Sequence, residues 1–171
     1  MSLCRWQYEP LVAALRVRGV RFLAPSDAQP GAHPINDRDL LACLAGHDHP
    51  RLRLALAALF LLHPELASQL EGLDLAPAAQ TELRTQYTAA ACLQRMWSIR
   101  LSFYLGDSPL LPDLYSAELG LPPVDAHYGK LCLHTLAARQ SFDQLSAYDG
   151  LMDLLFSQLK AEATHEYATA G

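Results

Sequence analysis

The sequence has few of the residues that build disulfide-rich or zinc-bound proteins. Its four cysteines, Cys4, Cys43, Cys92 and Cys132, stand alone, and no two of them form a C-x-x-C pair. Zinc sites and disulfide frameworks usually show such paired spacings. We therefore predict that the cysteines are small buried thiols in a reducing compartment.

Basic residues are also scarce. The chain carries 13 Lys and Arg against 18 Asp and Glu, for a formal net charge of −5. Most arginines lie in residues 1–60 and most acidic residues in 61–171, but neither part has the dense basic stripe that a phosphate backbone requires. We expect no nucleic-acid partner. An acidic C-terminal part could face a basic partner, although a solvated acidic surface explains it more simply.

Long apolar segments are missing as well. The longest uninterrupted apolar run, residues 54–62, is too short to cross a bilayer. The first six residues lack the apolar stretch of a signal peptide. Together with the unpaired cysteines, these features predict a soluble cytoplasmic protein without a membrane segment.

No motif specifies a chemistry. The chain contains no G-x-G-x-x-G, H-E-x-x-H or G-x-S-x-G, and Gly129-Lys130 is followed by Leu131, so it is not a Walker loop. We predict no cofactor and no catalytic residue. Whether the protein is an enzyme stays open, and a non-enzymatic protein is favoured.

What the chain has in abundance is Leu and Ala, within a hydrophobic content of 51%. With few Val and Ile, this composition favours helix over strand. We predict an all-α fold, a single-domain array or bundle of about six to seven helices spanning residues 1–171. Residues 52–62 are apolar nearly all round, which places one buried helix at the centre.

Proline, glycine and capping residues mark where these helices begin and end. We expect the longest helix over residues 76–105, with one apolar stripe and, on the other side, a polar stripe that includes Arg84, Thr88, Ala91 and Arg95. Other helices are predicted for residues 10–18, 50–62, 65–71, 113–118 and 125–136. A further helix is expected from a cap at Asn36 or Asp37 to Gly46. The last helix follows a capping box over residues 141–144 and has a buried stripe that reaches Leu159, with Asp149-Gly150 as the point where it could be interrupted.

Three segments are predicted to be irregular. Residues 25–34 hold three prolines and read as a surface loop. Residues 164–171 form a polar tail that we expect to fray. Residues 20–23 alternate like a strand, but without a second strand to pair with we favour an extended connector.

Two histidine clusters are candidate sites. His127, Lys130 and His134 have the spacing of one helical face, which could line an anionic-ligand pocket or let His134 act as a general base. His47, Asp48 and His49 share a turn and could bind a divalent metal. The simpler interpretations are histidines at a helix–helix boundary in the first case and a helix N-terminus capped by Asp48 in the second.

Arg84 and Arg95 on the long helix are candidate binding residues, because arginine pairs with the carboxylates or phosphates of a partner. A solvated helix face explains them more simply.

Parts of the chain resemble small, uncharacterised helical bacterial proteins that are sometimes encoded beside minimal nucleotidyltransferases. The resembling stretches run from Arg51-Leu52-Arg53 through His63-Pro64-Glu65 and from Leu111-Pro112-Asp113 through Gly120-Leu121-Pro122-Pro123, about a third of the chain. The resemblance implies a partner or regulator of such an enzyme, as in a toxin–antitoxin pair. The chain itself lacks the Gly-Ser and paired-Asp signature of a nucleotidyltransferase and the Arg-x4–6-His motif of HEPN ribonucleases.

The leading functional interpretation is a non-enzymatic helical interaction protein with a protein partner or a homo-oligomeric state. Two alternatives remain open. One is a metal- or anion-binding protein or an unrecognised hydrolase that uses a histidine cluster, and the other is a small-molecule-binding regulator with an apolar pocket.

Overall fold

A computed structural model describes residues 7–24, 34–140 and 143–170. Within these ranges the chain forms a single all-α domain and no strand, which confirms the predicted fold class. The α-helices are α1 (Tyr8–Val17), α2 (Asp37–Ala45), α3 (Pro50–Leu62), α4 (Pro77–Met96), α5 (Ser98–Leu105), α6 (Lys130–Gln140) and α7 (Gln144–Thr169). Two 3-10 helices cover Pro64–Gln69 and Ala126–Gly129.

The helix boundaries largely follow the sequence signals. The Asn36 side chain accepts a hydrogen bond of 2.8 Å from the amide of Asp39 and caps α2. Pro50 occupies the first turn of α3, where its missing N–H costs nothing. Gly19 follows α1 with φ +87°, a conformation that glycine adopts without strain.

Helix α3 is the predicted buried helix. Leu52 and all residues from 55 to 61 are buried, among them Phe60 at 0% exposure. The helix contacts α1, α2, α4, α7 and the first 3-10 helix. Its nearly polar-free surface is therefore covered on several sides, as its composition requires.

Helix α4 is just as central, which differs from the expected amphipathic surface helix. Residues 85–94 are buried without exception, so Thr88 and Ala91, predicted on the polar side, lie in the interior. The helix contacts α2, α3, α5, α6 and the second 3-10 helix. Its polar stripe faces other parts of this chain and not solvent.

The predicted 76–105 helix is broken at Trp97, which has φ −113° and ψ 18°. Backbone hydrogen bonds from Trp97 to Leu93 and from Leu101 to Trp97 span the break, so the chain bends there without leaving the helical path. Neither proline nor glycine is present at the bend. The Trp97 ring packs edge-on against Phe156 of α7 at 5.5 Å, so a tertiary contact accompanies the bend.

Residues 106–125 form a long irregular loop, and the helix expected over 113–118 is replaced by turns. The next helix starts later than predicted. His127 and Tyr128 have left-handed backbone conformations, with φ +50° and +56°, and Gly129 follows with φ +88°. A continuous helix from Asp125 is therefore interrupted, and α6 begins only at Lys130.

The remaining segments give mixed outcomes. Residues 20–23 form no strand, in agreement with an extended connector. Helix α7 continues through Thr169, and its side chains from residue 164 onward are mostly exposed, so the fraying expected there stays a prediction. The predicted 25–34 loop, except Pro34, and residues 141 and 142 of the capping box lie outside the described residues.

The cysteines do not form one class. Cys92 and Cys132 are free and buried, as predicted. Cys43 is disulfide-bonded, which corrects the prediction of a thiol at that position, and Cys4 lies outside the described residues. The argument from four reduced cysteines to a cytoplasmic location therefore loses part of its basis. Among the helices described, none is both long and apolar enough to cross a membrane.

Candidate functional site

The irregular loop of residues 106–125, hereafter the anchored loop, is held against α4 by side chains that bond to its backbone. The Gln94 amide group donates to the carbonyl of Pro109 at 3.0 Å and accepts from the amide of Leu111 at 2.7 Å. Gln94 is 5% exposed and Leu111 is 0% exposed. Gln94 therefore supplies two backbone groups of the loop with the partners that a helix or sheet would otherwise provide.

Replacing Gln94 with alanine is expected to lower the free energy of unfolding by about 1–3 kcal/mol, because the buried Leu111 amide loses its partner. Urea unfolding measures the loss, and hydrogen exchange at Leu111 should accelerate more than in α3. Gln80→Ala is the matched control, since the Gln80 side chain has no hydrogen-bond partner within the described residues. Equal losses in the two variants would contradict the anchoring role.

Two further α4 side chains hold the same loop. The Arg95 guanidinium donates to the carbonyls of Leu111 and Ala91, each at 3.0 Å, and pairs with the carboxylate of Asp125. The Tyr87 hydroxyl donates to the carbonyl of Pro112 at 2.8 Å. Burial raises the pKa of this phenol, so it stays protonated and able to donate.

Asp113 organises the loop from within. Its carboxylate accepts hydrogen bonds from the Ser116 hydroxyl at 2.6 Å and from the amides of Ser116 and Val124 at 3.1 Å each. Partial burial by itself would raise the pKa of Asp113, but these bonds and the Arg95 charge outweigh it and hold the pKa below its usual value. The ionised carboxylate therefore stabilises the loop at neutral pH, and this contribution is lost as the pH falls through the folded-state pKa.

Arg84 has a similar internal role. Its guanidinium pairs with the carboxylate of Glu118 in the anchored loop and lies 5.5 Å from the centre of the Tyr115 ring. Both predicted binding arginines, Arg84 and Arg95, thus have carboxylate partners within this chain. The arrangement assigns them to holding the loop and offers no support for their pairing with an external carboxylate or phosphate.

A cluster of exposed apolar side chains lies where α5 meets the anchored loop. Ile99 is 86% exposed, Phe103 79% and Leu110 56%, and we call these three residues the α5 surface. Ile99 and Leu110 also line an open pocket of about 230 Å³, whose other walls include Leu61, Gln94 and Leu105. Of the residues described around this pocket, Asp107 is the one that carries a charge.

The α5 surface has a rigid support. The opposite side of α5 packs through Leu101, which is buried, and through Tyr104, whose ring lies 6.2 Å from Phe156 of α7. The Arg100 guanidinium stacks 4.0 Å from the centre of the same Phe156 ring. Ile99 and Phe103 therefore project from a helix that is fixed on its inner side.

The predicted anionic-ligand face is not formed as expected. His127 lies in the left-handed segment before α6 and not on the helix, so only Lys130 and His134 keep the one-turn spacing. All three side chains are exposed. The left-handed backbone at His127 and Tyr128 is what separates His127 from the other two, and an anion site at these residues stays an unsupported prediction.

The histidine turn before α3 has a local structural use. Nδ1 of His47 accepts a hydrogen bond of 3.0 Å from the amide of His49, and the N-cap of α3 is His49 and not Asp48. The His49 ring packs 4.9 Å from the ring of Tyr8. Across the residues described, no three His, Cys, Asp or Glu side chains converge in a way that could hold a metal ion. The metal interpretation of His47, Asp48 and His49 therefore gains no support.

Sequence reasoning missed the α5 surface, although a signal was present. Ile99 and Phe103 are large apolar residues four positions apart, and both lie outside the apolar stripe predicted for the 76–105 helix. Residues at that spacing share a helix face. A second apolar pair on the side opposite to the core is the pattern of an exposed contact surface.

Comparison of this chain with protein-family models, with curated proteins and with solved structures finds no match.

Proposed function

We propose that this chain is a non-enzymatic interaction protein that binds another protein through the α5 surface. The observation that carries the proposal is the exposure of Ile99, Phe103 and Leu110 beside an open pocket. Isolated exposed apolar residues are ordinary, but adjoining ones next to a concavity are typical of protein-binding sites.

The support under the α5 surface favours binding. Helix α5 is fixed against Phe156, and Gln94 holds the backbone on both sides of Leu110 through Pro109 and Leu111. Little conformational entropy is then lost when a partner covers these side chains. The anchored loop thus contributes to binding, since it fixes Leu110 at one edge of the pocket.

The pocket indicates the chemistry of the partner. Its apolar walls suit a bulky apolar side chain, and Asp107 at its rim suits a Lys or Arg beside that side chain. Each of the three side chains exposes at most about 150–250 Å². Their combined area is therefore below the roughly 800 Å² that each subunit of a stable dimer buries. We therefore favour a segment of a different protein over a second copy of this chain.

The resemblance to proteins encoded beside minimal nucleotidyltransferases supplies a candidate for that partner. In the proposal, such an enzyme presents the apolar and basic segment, and this chain acts as its partner or regulator. The small-molecule alternative receives less support, because ligand pockets usually enclose about 300–1,000 Å³ and the pocket beside α5 is smaller and open.

Replacing Ile99 or Phe103 with aspartate is expected to reduce partner binding by about ten-fold or more, because a charge then occupies the centre of the apolar contact. The experiment compares partner recovered with tagged wild-type chain and with each variant in the native host, followed by titration of the purified partner. Val17→Asp is the matched control, since Val17 is also 86% exposed but lies on α1.

Equal recovery of the same partner by wild type, the α5 variants and Val17→Asp would contradict the proposal. Light scattering of the purified chain tests whether the α5 surface binds a second copy of this chain instead. A homo-oligomer that Phe103→Asp dissociates would replace the foreign partner with a second copy of this chain.

A further inference from the structure

Two free thiols face each other in the core, away from the α5 surface. Cys92 lies on α4 and Cys132 in the first turn of α6, and both residues are 0% exposed. The two side chains interact directly, and each shifts the pKa of the other. The two sulfur atoms therefore have each other as partners and no direct access to bulk solvent.

The backbones on which these thiols sit approach unusually closely. A Cβ added to Gly129 would lie 2.3 Å from the carbonyl oxygen of Cys92, so only glycine fits at that contact. Cys132 follows Gly129 by only three residues, so it stays near this contact. A disulfide needs Cα atoms roughly 4.4–6.8 Å apart, a separation that requires such a close crossing.

The two thiols differ in their acidity. The interaction with Cys132 and burial raise the pKa of Cys92, whereas the interaction with Cys92 lowers the pKa of Cys132 by more than burial raises it. The charge of Arg95 favours the thiolate form of both, whereas that of Asp113 opposes it. Cys132 is thus the better nucleophile of the pair, and Cys92 is placed to attack it in turn.

We propose that Cys92 and Cys132 are an oxidisable dithiol that a hydroperoxide converts into an intramolecular disulfide. The Cys132 thiolate attacks one peroxide oxygen, the O–O bond breaks, and a sulfenic acid forms with release of an alcohol or, from hydrogen peroxide, water. The Cys92 sulfur then attacks the Cys132 sulfur, the S–O bond breaks, and a second water leaves with the thiol proton. Two thiols lose two electrons in total, and the peroxide gains them.

Burial directs this chemistry to the pair. A hydroperoxide such as hydrogen peroxide is little larger than water and reaches the thiols during local opening, whereas bulky disulfide reagents are excluded. The sulfenic acid formed at Cys132 meets the Cys92 thiol before any external thiol. The resulting bond would tie α4 to α6 beneath the anchored loop, where Arg95 also bonds to Leu111 and Asp125.

The test treats the purified full-length chain with hydrogen peroxide and maps its peptides by mass spectrometry without reduction. The expected result is a new linked peptide pair that joins Cys92 to Cys132 and is absent before treatment, with loss of both free thiols and return of both after reduction. Cys92→Ala is the control, in which we expect no linked pair and a trappable sulfenic acid at Cys132.

Two results would overturn the inference. One is wild-type protein in which both thiols stay reduced at peroxide concentrations that oxidise a free cysteine peptide. The other is oxidation of Cys132 to sulfinic or sulfonic acid while Cys92 stays a thiol. Both are read from the wild-type chain, so the outcome does not depend on the variant folding. The test is also independent of partner binding, because no partner is present.

Discussion

Gly129→Ala is expected to lower the free energy of unfolding by about 2–5 kcal/mol, one of the two largest losses that we predict for a single substitution. Two costs add up at this position. Gly129 has φ +88°, a conformation that costs a residue with a Cβ about 1–2 kcal/mol. The new Cβ would also lie 2.3 Å from the Cys92 carbonyl oxygen, and moving α6 away from α4 costs about 1–3 kcal/mol more.

Gly106→Ala separates these two costs. Gly106 has φ +73°, but a Cβ there would meet nothing within 4 Å. Its ψ of −170° places it in a region that essentially only glycine occupies, so its substitution should cost backbone strain alone, about 1–3 kcal/mol. Urea unfolding of both variants gives the comparison, and equal losses would contradict the close approach of α6 to α4. The Gly129 variant should also form the Cys92–Cys132 disulfide more slowly, since the helices are pushed apart.

Phe60→Ala is expected to lower the free energy of unfolding by about 3–5 kcal/mol, because it leaves a cavity between α3 and α4. Phe60 is 0% exposed, and its ring packs edge-on against Tyr87 at 5.1 Å. Tyr87 in turn donates to the carbonyl of Pro112, so we expect the cavity to loosen the anchored loop as well. Urea unfolding measures the first effect, and hydrogen exchange of residues 106–125 measures the second.

Phe103→Ala is the matched control for the core substitution, because Phe103 is the same residue type at 79% exposure. We expect its stability to change by less than about 0.5 kcal/mol, as is usual for surface positions. A Phe60 variant as stable as the Phe103 variant would show that α3 is not the centre of the core. The Phe103 variant also links stability to function, since it should weaken partner binding while leaving folding intact.

The helical elements could be predicted because their signals are local. Asn36 caps α2 through its own side chain, Pro50 begins α3, and Gly19 ends α1, each by an interaction within a few residues. The burial of α3 could be predicted as well, because a helix without a polar face has no stable arrangement at a surface. The all-α class followed from the same reasoning.

The errors concern features that depend on distant contacts. The bend at Trp97 accompanies packing of its ring on Phe156, and the neighbouring sequence has no proline or glycine that would predict the bend. Thr88 and Ala91 appeared to lie on a polar stripe, but the anchored loop and α6 cover that side of α4. The left-handed segment at His127 and Tyr128 separated His127 from Lys130 and His134, a break that helical spacing alone does not reveal.

The same distinction between local signals and distant contacts applies to the candidate sites. Arg84 and Arg95 were recognised as special, but their partners, Glu118 and Asp125, lie some 30 residues away in the chain. Whether an arginine faces solvent or a carboxylate of its own chain depends on how the loop folds back. The α5 surface shows the converse, since Ile99 and Phe103 look like core residues until the exposed side of α5 is known.

The sequence by itself thus determined the composition of the core, the helical class and most helix ends, because hydrophobic content, capping and chain breaks act over one or two turns. Only the tertiary structure decided that α4 is as buried as α3, that two arginines hold a loop, and that Cys92 meets Cys132. Each of these features depends on which distant surfaces come into contact. The same local helix preferences are compatible with many ways of packing the helices together.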